Sequence, residues 1–154
     1  MSIEKTNLAI TSLESHLENH SVSNPKVSKS DIAWHIDHSL KVINSVVISL
    51  QKSDPNTFEN NFSLLGKVFF TLGFFPRGKA KAPKYVKPPE VILKEDLVSQ
   101  LQLAKTNVST IANLDKNAYF KHPLFGHINK KRVTKFLVLH TTHHLKIIED
   151  IMKK

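Results

Sequence analysis

The feature that most constrains this chain is the spacing of its apolar residues. On both sides of one Pro/Lys-rich stretch, Phe75 to Pro89, they recur at intervals of three and four, the period of a helix with one buried face. A first segment spans about Ile3 to His20, with Ile3, Ile10, Leu13 and Leu17 on one side, and Asn24-Pro25 breaks it. A second starts near Ser28, where Ser28-x-x-Asp31 resembles a capping box, and runs through Ile32, Ile36, Ile43, Val47 and Leu50 to about Lys52. Asp54-Pro55 offers a cap and a first-turn proline to a third, aromatic segment that carries Phe58, Phe62, Leu65, Phe69 and Leu72 and stops at Gly73. A fourth covers about Val91 to Asn113. A fifth opens near Asn129 and repeats Val133, Phe136, Leu137, His140, His144, Ile147 and Ile151. No run alternates with period two, so the reading is all-α. The first two segments, joined by a short turn, are expected to pack antiparallel. The long gap between the second and fourth is expected to cross over a bundle of four helices, carrying the aromatic segment as a short accessory helix and then a basic Pro-rich loop.

Length and composition set the outer bounds. The 154 residues fit a single domain, and 40% hydrophobic content is enough for a core. The absence of cysteine excludes disulfides, thiolate metal ligands and a cysteine nucleophile. The longest apolar stretch, Val68 to Phe75, is far short of the ~20 residues a membrane helix needs. The start of the chain has no apolar signal segment. A cytoplasmic location with no membrane partner is therefore expected.

The charge of +9 is uneven: residues 1–54 sum to −1 and residues 55–154 to +10. A basic half raises a polyanion, nucleic acid included, as an alternative partner. Aromatic side chains near the Arg77 to Lys87 loop are few, however, which disfavours a single-strand platform. Pro76-Arg77-Gly78-Lys79 has turn chemistry and cations suited to the mouth of a pocket, so Arg77 and Lys79 are candidates for binding an anionic small-molecule substrate.

The nine histidines carry the chemistry. At ~100° per residue, His140 and His144 fall inside the apolar stripe of the fifth segment, one above the other at i,i+4 spacing. His35 falls inside the apolar arc of the second segment, while His38 lies just outside it, beside Asp31. Burying unpartnered imidazoles costs about 1–3 kcal/mol each. Two arrangements relieve that cost: a divalent metal held by His35, His140 and His144, or a neutral network bonding the rings to hydroxyls such as Ser39 or Thr141 and to buried water. The sequence His140-Thr-Thr-His143-His144 lacks the glutamate of a zinc protease helix. A nucleophile would then be water activated by the ion or a thiol from a cosubstrate. His38 and His143 are candidates for proton transfer or for supporting the ligands. Imidazole ligation suits zinc, nickel, iron or copper alike.

These residues resemble a family. Val27-Ser-Lys-Ser-Asp-Ile-Ala-Trp-His35-Ile and His140-Thr-Thr-His143-His144-Leu are similar to the two histidine-bearing stretches of the DinB-like (YfiT-like) superfamily of metal-binding four-helix bundles. Pro76-Arg-Gly-Lys-Ala-Lys-Ala-Pro83 and His122-Pro-Leu-Phe-Gly126 bring the chain nearer to an uncharacterised subgroup of it. The resemblance implies a single bundle domain over residues 1–154, with the long connection between its second and third core helices. It implies His35, His140 and His144 as ligands of zinc, nickel or iron, and pairing as a homodimer. It also implies a metal-dependent transferase or hydrolase acting on a small molecule, with a low-molecular-weight thiol as cosubstrate. The alternatives are a non-catalytic helical bundle and a basic module for polyanions.

Overall fold

In the computed structural model, which describes residues 2–78 and 81–153, five α-helices and one two-stranded antiparallel sheet form around a common core. The helices are α1 (Ile3–Glu14), α2 (Ile32–Lys52), α3 (Leu64–Leu72), α4 (Lys94–Thr110) and α5 (Lys130–Met152). Strands β1 (Tyr119–His122) and β2 (Gly126–Asn129) make a hairpin with Tyr119 opposite Asn129 and His122 opposite Gly126. The expectation of an all-α four-helix bundle is thereby corrected: the chain is mostly helical, but not a clean all-α bundle. Four-residue strands are too short to show period-two alternation, and Tyr119, Phe120 and Ile128 are all buried.

The helix boundaries follow local chemistry. Ser2 caps α1 by accepting the Lys5 amide. Asp31, not Ser28, caps α2 by accepting the Trp34 amide at 2.8 Å. That leaves the Ser28 hydroxyl for another partner. Asp54-Pro55 opens only a single 3₁₀ turn, Pro55–Thr57. The accessory helix starts later, at Ser63, which accepts the Gly66 amide, and ends at Gly73. Phe58 and Phe62 therefore lie ahead of the helix. Within it Gly66 and Phe70 are buried, while Leu65 and Leu72 are exposed.

The packing partners of α1 also differ from expectation. Both α1 and α2 pack principally on α4 and α5, so they are not the antiparallel neighbours that their short connection suggested. The 3₁₀ turn Leu17–Asn19 and the residues up to Ser30 carry the chain across instead. Between α2 and α4 runs a polar seam. Asp37 pairs with Lys41 and accepts from Gln100 Nε2 at 2.7 Å, and Asn107 Nδ2 donates to Asn44 Oδ1 at 3.0 Å. Most of the rest of the core is apolar: Ile10, Leu13, Ile36, Leu40, Leu97, Leu137 and Ile148 are fully enclosed. The crossover between α3 and α4 folds back onto α2 through the 3₁₀ turn Lys84–Val86, burying Val86. This contact positions the site.

Candidate metal centre

Helix α2 is buried around most of its circumference, so histidines from more than one of its faces reach the interior. His35 and His38 come from its first turns, and His140 and His144 from the middle of α5, which packs against it. One ring nitrogen from each of His38, His140 and His144 lies within 4.8 Å of the other two. Ring centroids are 5.1 Å apart for His38 and His140, 4.8 Å for His38 and His144, and 4.8 Å for His140 and His144.

The set brought together thus contains His38 where the wheel and the resemblance selected His35. The reason is the crossover. A bare wheel places His38 at the edge of the apolar arc, but Val86 covers that edge, and His38 Nδ1–H donates to the Val86 carbonyl at 2.8 Å. This bond settles the tautomer: Nδ1 carries the proton and the Nε2 lone pair is left for a ligand. Trp34, one turn earlier, stacks on the His38 ring at 5.1 Å. A lone valine inside the Lys/Pro-rich loop is the sequence signal that points to this covering.

His35 is not distant from the cluster. Its Nδ1 lies 3.0 Å from His144 Nδ1, and its Nε2 lies 3.0 Å from Ser28 Oγ, the hydroxyl freed from capping. Two proton assignments satisfy this chain. In one of them His144 donates from Nδ1 to His35, which donates in turn to Ser28, and His144 Nε2 is unprotonated. In that assignment His35 orients a ligand.

Of the hydroxyl network weighed as the alternative to a metal, only the Ser28–His35–His144 chain forms; neither Ser39 nor Thr141 bonds to a ring. Ser39 Oγ donates to the His35 main-chain carbonyl, and Thr141 Oγ1 is buried without a hydrogen-bond partner. His140 Nδ1 is likewise sequestered with no partner among the described residues, its ring stacked on Phe136 at 5.9 Å. A buried imidazole with an unpartnered nitrogen, its ring packed against those of His38 and His144, belongs to a donor set that a divalent ion can take. The residues fit the group.

Electrostatics point the same way. Burial holds His140 and His144 well below the usual imidazole range, with neighbouring rings adding to it. Burial and the nearby His38, His143 and Arg77 push His35 down to about 4. His38 is also lowered by burial, against the opposing pull of the Val86 carbonyl. All are neutral at pH 7, the form that ligates metal.

The remaining candidates sit around this cluster. His143 Nδ1–H donates to the Phe75 carbonyl at 2.9 Å, with its ring edge-on to His144 at 5.0 Å. Arg77 pairs with Asp150 at 2.8 Å, so its charge is partly answered within the chain. Lys79 lies outside the described residues. His122 and His127 are structural: Nδ1 of His122 accepts the Leu124 and Phe125 amides, and Nδ1 of His127 accepts the Glu59 amide.

A buried three-histidine cluster that could hold a metal ion is therefore built into a mostly helical chain. Neither a curated protein nor a solved structure matches it. The profile of one family matches residues 2–151, and the chain belongs to that family, described as protein of unknown function (DUF1569).

Proposed function

We propose that this protein is a metal-dependent enzyme in which His38, His140 and His144 hold a divalent ion of zinc, nickel or iron and His35 orients His144. The observation that carries the reading is the convergence of one ring nitrogen from each of His38, His140 and His144 to within 4.8 Å, with His140 Nδ1 buried and unpartnered. The likeness of the two histidine stretches to the DinB-like superfamily supports the same reading, and with it a homodimer. When bound, such an ion supplies Lewis acidity, activating water for hydrolysis or a low-molecular-weight thiol for transfer. Three protein ligands leave coordination positions open, as a catalytic site requires.

The substrate's place follows from a cavity of ≈ 270 Å³ beside the cluster, lined by Phe75, Arg77, Leu139, His143 and Lys146 among others. His143 links it to the centre: its ring meets His144, which makes it a candidate for moving a proton between substrate and solvent. Arg77 and Lys146 put positive charge at the wall, suited to a small molecule with an acidic group. A screen of thiols with electrophilic small molecules, following thiol consumption, tests the activity. The metal-loaded protein is expected to turn over and the chelated protein to fall to background. Equal rates with and without metal would remove the reading.

A further inference from the structure

The acidic residues of this chain are confined to part of it. Residues 60–89 and 116–148 contain thirteen Lys and Arg and no Asp or Glu. These two stretches supply α3, the hairpin and most of α5, and they are joined in space. α3 packs on α5, and Ser63 ties the start of α3 to the hairpin turn through the Phe125 and Leu124 carbonyls.

In this predominantly basic region, bordered by Glu59 beside the hairpin and by Asp150 paired with Arg77, lies an unpartnered apolar face. On α3, Gly66 and Phe70 turn inward, while Leu64 (75% exposed), Leu65 (43%), Val68 (44%) and Leu72 (57%) turn out. At ~100° per residue these four fall within one arc of about 100°. Phe74, just past the helix, is also half exposed. Cations sit on the same element and on the helix it packs against. Lys67 is on α3 itself, Lys135 Nζ stands 5.9 Å over the Phe70 ring, and the Arg132 guanidinium stands 4.8 Å over Phe62.

We propose that this face docks on an anionic lipid surface, with the α3 leucines and valine entering the headgroup–acyl boundary and the surrounding Lys and Arg meeting acidic headgroups. Neither half of the pattern suits the other occupants. A second copy meeting the same patch across a two-fold axis would set like charges against each other. A nucleic-acid backbone would answer the charge but bury none of the aliphatic stripe. A short amphipathic element with a basic rim is what holds a peripheral protein to an acidic bilayer. Among the described residues no helix is long and apolar enough to cross a membrane, and surface docking does not require one. The absence of a membrane partner was expected on the want of a spanning stretch and of a signal segment, and neither argument reaches a peripheral surface.

The test is vesicle flotation of the full chain with phosphatidylcholine vesicles, with and without 30% phosphatidylglycerol (on the order of a plausible acidic fraction). Binding is expected only to the acidic vesicles, falling at least about tenfold between low and high salt. The triple variant Leu64→Ser/Val68→Ser/Leu72→Ser changes exposed positions, and its fold is checked by its thermal transition. It is expected to lose binding about tenfold or more, as is Lys67→Glu/Lys135→Glu. Three results would overturn the proposal: no binding to acidic vesicles, undiminished binding by the folded triple variant, or a wild-type dimer that the triple variant alone dissociates. Retention of mixed oligonucleotides in preference to acidic vesicles would assign the surface to nucleic acid instead.

Discussion

His35 and His38 are three residues apart on one helix, yet they stand in different relations to the cluster. His38 spends Nδ1 on a main-chain carbonyl and keeps Nε2 free, whereas His35 spends both nitrogens, one on Ser28 and one on His144. Their replacements should separate. His38→Ala is expected to abolish stoichiometric metal uptake. His35→Ala should weaken affinity by about 10–100-fold, the usual effect of removing a ligand's orienting partner. Competition titration with a chromogenic chelator reads both, and the opposite ranking would restore His35 as the ligand. The sequence made the i,i+4 pair on α5 legible because two imidazoles inside an apolar stripe have few explanations. It ranked His35 above His38 as a ligand, because the covering of His38 depends on Val86, forty-eight positions along the chain and on a loop that carries no periodicity.

At the scale of elements, α2, α4 and α5 were readable to within a few residues because an apolar 3.6-residue pattern marks each, whereas α1 stops at Glu14, short of the expected His20. α5 begins one residue after the expected Asn129, and α3 ends at the expected Gly73. What the pattern concealed was decided by partners. The hairpin exists because Asn61, Ser63 and the buried faces of Phe120 and Phe125 hold it. The turn depends on Gly126, at φ +76°, where an added Cβ would stand 2.6 Å from the Asn61 carbonyl oxygen. Gly73 has the same φ of +76° with open space around it. Gly73→Ala should therefore cost only left-handed strain, roughly 1–2 kcal/mol. Gly126→Ala should cost clearly more, because the backbone of Asn61 must also move. Urea denaturation of the two variants checks the difference, and equal losses would show that the close approach is not maintained in solution.

Over the whole molecule, the centre imposes a pH dependence on the metal-free protein. His35 is pushed down to about 4, as is His122, from an ordinary value of 6.5, in both cases chiefly by burial. Between pH 6.5 and 4 the unfolded chain binds protons that the folded chain refuses. Stability is thus fully present above about pH 6.5 and is lost as pH falls toward 4. For buried His35 alone the lowering corresponds to roughly 3 kcal/mol. Metal-free protein should show a denaturation midpoint falling steeply across that window, and a flat profile would mean that these rings are solvated. Bound metal, which takes His38, His140 and His144 in their neutral form, stabilises the folded chain and should hold the midpoint up in the upper part of it.

The central claim is that α2 and α5 together form one metal site, and metal stoichiometry tests it most directly. Protein purified without a histidine tag, loaded with zinc, nickel or ferrous iron and dialysed, is assayed by elemental analysis beside folded His140→Ala and His144→Ala. About one equivalent in the wild type and close to none in either variant is the predicted result. Full occupancy in both variants, or none in the wild type with any of the three metals, would contradict it.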